Sequence, residues 1–328
     1  MFSRREFVSL IGGVSLLPRA ARAQEATHFV GVLAGNVETD IDAQARVRAF
    51  KEGLYAKRDN EKDSLRLEVR WPGPDVSRQQ RMAEDLVSLG PDVILATSTA
   101  TTQALRKTTK SIPIVFVGLS DPTTTGVVSD LARPEANVTG FMLDEHTMAG
   151  KWLSLLKAMM PALTRVGLFF NPDIAPYASH YLRTAKEVGA QLHVNVVAID
   201  VHRAGEIEPA LDAFANSGRA GLIVLPDGGF TSVNKAAVIG AAAKYRLPAV
   251  YGARFYVASG GLMSYGADLT GQFRDGAGFV DRILRGAAPA DLPVQFSTKF
   301  DLVINSITAE ALSLAVPQHL LVDAELIE

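Results

Sequence analysis

Short, wholly apolar runs alternate along this chain with longer stretches in which apolar residues recur every third or fourth position. The first pattern suits strands covered on both faces, and the second suits helices packed along one side. His28 to Gly35 predicts a buried strand, and Ile41 to Arg58 a helix with Ala43, Val47, Phe50 and Leu54 on one stripe. Leu65, Leu67, Val69 and Trp71 alternate with polar residues as a second strand, and Met82, Leu86 and Leu89 line the next helix. Asp92 to Ala96 and Ile112 to Val117 predict short apolar strands around a helix that begins near Thr99. This alternation specifies an α/β fold with a parallel sheet and crossover helices.

The pattern then restarts. Val166-Gly167-Leu168-Phe169 echoes Val30-Gly31-Val32-Leu33 at an offset of 136, and each strand soon reaches an asparagine, Asn36 or Asn171. Leu247-Pro248-Ala249-Val250 repeats Ile112-Pro113-Ile114-Val115 at an offset of 135. Two nearly equal offsets point to two similar lobes, each a doubly wound parallel sheet. The chain is expected to leave the first lobe near Asn137 to Asp144. A second crossing is expected around Gly260 to Ala267, where Gly261 to Gly266 reads as a strand, and a third near Gln295 to Asn305. The first lobe then holds residues 24–141 plus about 266–296, and the second 142–265 plus about 297–328. The helix Leu269 to Arg285 offers Phe273, Phe279, Val280, Ile283 and Leu284 for packing. Three crossings make a hinge that closes by changing the backbone angles of few residues.

Residues 1–23 read as an address and not as part of the fold. Ser3-Arg4-Arg5-Glu6-Phe7 precedes the apolar run Val8 to Leu17, and Ala21-Arg22-Ala23 is a small-residue cleavage pattern before Gln24. The paired arginines followed by Phe7 resemble the twin-arginine signal for export of a folded chain. The apolar run is too short to span a bilayer, so the expectation is a cleaved signal peptide and a periplasmic protein. The segment removes four arginines and one acid, which leaves 29 basic and 34 acidic residues and a net charge of -5 in place of -2.

Composition narrows the chemistry. With 328 residues, 48% of them hydrophobic, the chain has enough apolar material for two domains. It has no cysteine, which excludes disulfide scaffolds, thiolate metal sites and catalytic thiols. Its six histidines are scattered, so no metal site is expected, and the mildly acidic balance argues against a nucleic-acid partner. No phosphate-binding glycine loop, nucleophile elbow or zinc-binding helix motif occurs, so no cofactor and no enzymatic activity are expected. Ser264 lies between glycines, but at the wrong spacing for a nucleophile.

Polar residues do stand at strand C-termini, where open α/β sheets bind ligands. Thr97-Ser98-Thr99 ends one strand and opens a helix, so hydroxyls and backbone N–H groups there suit a carboxylate, although Ser98 and Thr99 also suit a helix cap. Ser120-Asp121-Pro122 follows the next strand, with Ser120 the better ligand candidate and Asp121 expected as a helix start. In the second half, Asn171 and the stretch Pro226-Asp227-Gly228-Gly229-Phe230 occupy equivalent ends, Asp227 being suited either to a ligand ammonium or to a turn. Tyr251, Arg254, Phe255 and Tyr256 follow the Leu247 to Val250 strand, where rings can stack on a ligand and Arg254 can clamp an anion. The candidate ligand-binding set is therefore Asn36, Thr97, Ser98, Thr99, Ser120, Asp121, Asn171, Asp227, Phe230, Tyr251, Arg254 and Tyr256.

Four stretches carry a family resemblance: Pro91 to Ala96; Ile112 to Phe116 running on to Asp121-Pro122; Leu131 to Pro134 with Asn137 to Gly140; and Arg246 to Tyr251 running on to Gly260 to Gly266. Leu292-Pro293-Val294, Lys299-Phe300, Val303-Ile304-Asn305, Thr308-Ala309 and the closing Glu325 to Glu328 add to it. On these residues the chain resembles the substrate-binding proteins of ABC transporters of tryptophan/tyrosine type. The resemblance implies a type I periplasmic-binding-protein fold, with two lobes, three crossovers and a small ligand in the cleft. It also implies delivery to an inner-membrane ABC permease driven by a cytoplasmic ATPase. The alternative use of the same closure is a sensory module that reports ligand state to a chemoreceptor or sensor kinase.

Overall fold

The computed structural model describes residues 28–58, 65–134, 137–215, 219–227, 229–297 and 299–328. The expected export segment 1–23 and its cleavage point lie outside the described residues. The first half runs β1 (His28–Leu33), α1 (Ile41–Lys57), β2 (Leu65–Arg70), α2 (Val76–Ser88), β3 (Val93–Ala96), α3 (Thr99–Thr108), β4 (Ile114–Leu119) and β5 (Val138–Met142). The second runs α4 (Met148–Met159), β6 (Arg165–Phe170), α5 (Ala178–Gln191), β7 (Asn195–Asp200), α6 (Ile207–Ala215), β8 (Ala220–Val224), α7 (Phe230–Val233), α8 (Lys235–Lys244), β9 (Ala249–Tyr251), α9 (Arg254–Ala258) and β10 (Met263–Ala267). Then come α10 (Leu269–Leu284), β11 (Gln295–Phe296), β12 (Phe300–Asn305), α11 (Ser306–Ala311), α12 (Gln318–Leu321) and β13 (Ala324–Ile327).

These strands form two sheets, ordered β11-β5-β4-β3-β1-β2 and β13-β12-β10-β9-β8-β6-β7. Without β13, the two orders superpose strand for strand, so the repeated tetrapeptides fall on equivalent positions. β1 is flanked by β2 and β3 as β6 is by β7 and β8. The two prolines are equivalent as well: Pro113 O accepts from Ile94 N at 2.9 Å and Pro248 O from Leu222 N at 2.8 Å. All pairings are parallel except β10 with β12, which run antiparallel because the chain returns from the first lobe through β11.

Consecutive apolar residues in the central strands serve two faces at once. Val93 and Leu95 face α1 and α10, where Phe50, Leu54, Phe273 and Val280 pack, while Ile94 and Ala96 face α2 and α3. The expected stripe of α1 is buried in full. The expected stripe of α2 is corrected at one end. The helix stops at Ser88, Leu89 is its cap and 41% exposed, and Gln79 with Ala83 and Leu86 forms the buried face. Gln79 tolerates this because its Nε2 donates to Gly73 O at 2.8 Å. The chain passes between sheets after β5, after β10 and after β11. Consequently α10, although it follows a strand of the second sheet, packs against α1 and the first sheet.

Among the described residues, no helix is long and apolar enough to cross a membrane, and no group of His, Asp and Glu is arranged to hold a metal ion.

Candidate functional site

The ends of strands from both sheets meet at one cavity. Asn36 after β1, Thr97 after β3 and Gly118 of β4 line it from the first lobe, and Pro226, Ser232, Ala253 and Tyr256 from the second. Leu143 comes from the connection after β5, and Leu269 and Phe273 from the first turns of α10. The cavity measures about 30 Å³, room for about two water molecules. It adjoins an outer recess of about 470 Å³ between α1, α9 and the β10–α10 connection. Arg46, Ala253, Phe255 and Leu269 line both spaces.

Two polar contacts hold the lobes together over this cavity. Asn36 Nδ2 donates to Ser232 Oγ at 3.0 Å, and also to Asp40 Oδ2 at 2.9 Å. Lys235 at the start of α8 pairs with Asp42 at the start of α1. Asp40 is the N-cap of α1, its Oδ1 accepting from Asp42 N and Ala43 N, so the helix start and the interlobe contact share one carboxylate.

Next to Gly118, Leu143 and Pro226, but lining neither space, lies a buried acidic cluster. β4 shifts register between Phe116 and Leu119, with Gly118 at φ +67, and so delivers Ser120 and Asp121 to the sheet's end. β5 keeps close pace there because Gly140 has no Cβ; a Cβ would stand 2.0 Å from Phe116 O. Asp121 then takes φ +47, and its N–H donates to Asp144 O at 3.0 Å. Asp144 is fully enclosed, and burial pushes its carboxyl up to about 6 although Tyr181 donates to it at 2.6 Å. Burial likewise pushes Asp227 up to about 6, against hydrogen bonds from Thr231 N, Gly229 N and Thr231 Oγ1. Tyr177 lies close enough to feel both charges and donates to Pro226 O at 2.5 Å. Two buried atoms here make no hydrogen bond, Asp121 Oδ2 and Ser120 Oγ. A buried, acceptor-rich cluster of this kind beside the cavity favours a cationic group, such as an ammonium, nearby.

At the other end stands Arg46, on the inward face of α1. Only 6% of it is exposed, and its guanidinium lies 5.3 Å from the Phe255 ring centroid. Burial lowers its pKa, against the nearby charges of Asp40 and Asp42. Phe255 in turn stacks on Tyr256 at 4.4 Å, and Tyr256 on Tyr251 at 4.8 Å, a ladder of rings leading from the cleft into the second-lobe core.

The expected ligand residues divide accordingly. Asn36, Thr97 and Tyr256 line the inner cavity, and Arg254 lines the outer recess. Thr97 Oγ1 accepts from Gly35 N at 2.9 Å, tying β3 to the end of β1. Tyr256 donates to Thr231 Oγ1 at 3.0 Å. Arg254 is exposed and its fork already grips Glu325, with Nη2 2.7 Å from Oε1. Ser98 is the cap of α3, joined reciprocally with Thr101, and Thr99 is buried in the first turn of that helix. Asn171 spends both ends of its amide on His202 O and Asp173 N. Phe230 and Tyr251 are packed in the second-lobe core. No helix follows Asp121, contrary to expectation. Its positive φ turns the chain into a run of turns in which its Oδ1 accepts from Thr123 Oγ1 at 3.3 Å.

Sequence reasoning passed over Arg46, Ser232, Asp144 and Tyr177. For Arg46 the signal was available: it sits three positions after Ala43 and four before Phe50, a charge on an apolar stripe. Only the folded chain brings Ser232 to the cavity, and Asp144 and Tyr177 to each other beside it.

A family model for ABC transporter substrate binding proteins matches residues 33–327. A tyrosine-binding protein of Clostridioides difficile (strain R20291) is 23% identical over 267 residues, 81% of this chain and 76% of that protein. A conserved domain protein from Vibrio cholerae O1 biovar eltor superposes with a TM-score of 0.84 at 28% identity, covering 92% of this chain and all of that one. An ABC domain from Streptococcus pneumoniae in complex with L-Trp superposes with a TM-score of 0.79 at 23% identity, covering 91% of this chain and all of that one. The two lobes, the strand orders and a match over nearly the whole described chain agree: this chain belongs to the family of ABC transporter substrate-binding proteins.

Proposed function

We propose that this protein captures an amino acid or related small carboxylate between its lobes and presents it, by hinge closure, to an inner-membrane permease driven by a cytoplasmic ATPase. The observation that carries this reading is the cavity between the strand ends of both sheets, latched by the Asn36–Ser232 hydrogen bond. Contacts made to both lobes favour the closed arrangement, and a permease distinguishes closed from open. The inner cavity admits about two waters, so a ligand of amino-acid size requires the lobes to part before it enters.

The lobes in this reading are residues 24–141 with about 266–296, and 142–265 with about 297–328. The ligand's ammonium lies against Asp121, Asp144 and Asp227. Ionising Asp144 or Asp227 in the empty site costs roughly 3 kcal/mol each when the pKa rises from 3.8 to about 6. An arriving cation offsets that cost. Asn36, Thr97 and Tyr256 line the inner cavity, and Ser120, buried beside Asp121, completes the polar set. Export through the twin-arginine-like segment places the cleaved protein in the periplasm, and the role is capture without turnover. The names of the tyrosine-binding relative and the L-Trp complex support an aromatic amino acid as the first ligand to try.

Calorimetric titration with aromatic and branched L-amino acids tests this. One-site binding by at least one member is expected. No binding by any of them eliminates the amino-acid version.

A further inference from the structure

We infer that Arg46 is the carboxylate-binding residue of the cleft, so that the ligand's acid group lies at the neck between the inner cavity and the outer recess. This rests on the cleft being the ligand site, and it adds a residue and an orientation that the strand-end pattern does not contain.

A guanidinium carries five N–H donors and stays charged, and buried arginines are found paired. Arg46 is 6% exposed, yet among the described residues its guanidinium makes no hydrogen bond or ion pair with the protein. The acids nearest to it are committed elsewhere. Asp40 caps α1 through Oδ1 and accepts Asn36 through Oδ2, and Asp42 pairs with Lys235. The Phe255 ring covers one side of the guanidinium at 5.3 Å. Both remaining spaces that Arg46 lines are the cleft itself.

A planar fork of donors matches a carboxylate in two parallel hydrogen bonds. A singly charged anion fits better than a doubly charged one, because Arg46 is the one charged residue lining the inner cavity among the described residues, with Asp40 and Asp42 close by. The β3–α3 turn is the weaker claimant. The Ser98 hydroxyl closes a helix cap, and Thr97 Oγ1, which accepts Gly35 N–H, has one proton left to give. With the carboxylate at Arg46 and the ammonium toward Asp121, Asp144 and Asp227, the cavity sorts the two charges of an amino acid to opposite ends.

Two measurements on wild type, Arg46→Met and Arg46→Lys test the assignment. In thermal unfolding without ligand, Arg46→Met is expected to melt no lower than wild type, since it removes a buried cation that lacks an acceptor. A clearly lower melting temperature makes Arg46 a structural residue and overturns the inference. In calorimetry, L-tyrosine, L-tryptophan and L-leucine are each compared with their amides. Wild type is expected to favour the acids, and Arg46→Met to lose about tenfold to hundredfold for the acids while its affinity for the amides holds. Arg46→Lys, which keeps the charge without the fork, is expected to fall between. Acids that bind wild type and Arg46→Met alike overturn the inference while leaving the cleft reading intact. Failure of every acid to bind wild type overturns the cleft reading, and the inference with it.

Discussion

Two carboxyls decide how this cleft responds to pH. Asp144 and Asp227 are both held up at about 6 by burial. Asp121 and Glu145 raise Asp144 further, while the Tyr181 hydroxyl opposes the shift. Between the ordinary carboxyl range and about pH 6, the folded chain therefore binds more protons than the unfolded one. Stability of the ligand-free protein is expected to fall as pH rises through that window and to level off above it. A ligand ammonium favours the ionised carboxylates, so affinity for L-tyrosine should climb as pH rises through about 6. An analogue without the amino group, 3-(4-hydroxyphenyl)propionate, should show no such climb. Titrations at several pH values check this, and a flat profile for L-tyrosine removes the ammonium from that end. At this scale the sequence is partly readable. Asn36, Thr97 and Tyr256 follow strand ends in the chain, and the strand ends are where the cavity lies. Ser98, Asn171 and Phe230 follow strand ends equally well, yet a cap, a turn and a core absorb them. Local position fixes which end of the sheet a residue occupies, and the direction of its side chain is settled by neighbours distant in sequence.

Among the elements, α10 shows how a lobe is assembled from separated pieces. It packs along α1, and the two helices share a buried ion pair in which Arg58 Nη1 stands 3.2 Å from Asp281 Oδ1. Arg285 Nε also reaches Asp281 Oδ2, at 3.0 Å. Asp281→Ala removes the carboxylate from two guanidinium groups, one of them buried, and is expected to lower unfolding stability by about 3 kcal/mol. Urea denaturation measures it; a change below about 1 kcal/mol means the pair is not what joins these helices. The helices themselves were readable because their apolar stripes are periodic and α1 and α10 start on capping aspartates. Asp121 was misread because an Asp before a Pro has the same local grammar whether a helix or a turn follows. The N–H bond to Asp144 and a positive φ decided the matter.

For the whole molecule, the contact that counts is the one between lobes. Ser232→Ala deletes the acceptor for Asn36 Nδ2 while leaving Asn36 bonded to Asp40. A single neutral hydrogen bond is worth about 1 kcal/mol, so the closed state should weaken and ligand affinity fall about fivefold, mainly through faster release. Stopped-flow dissociation of a bound amino acid checks this; an unchanged release rate means this bond is not a latch. Small-angle scattering gives the companion expectation, a smaller radius of gyration when ligand is added.

The sequence by itself determined the alternation of strands and helices, the internal repeat and hence two α/β lobes. These follow from periodicity and from tetrapeptides that recur at matched strand positions, both local properties of the chain. Only the tertiary structure decided which polar residues share the cleft. Arg46 comes from α1, Thr97 from the end of β3, Ser232 from α7 and Tyr256 from α9. They meet only because the chain passes between the sheets three times and brings their ends together. No local pattern encodes that meeting, since it depends on how two sheets built from distant parts of the chain come to face one another.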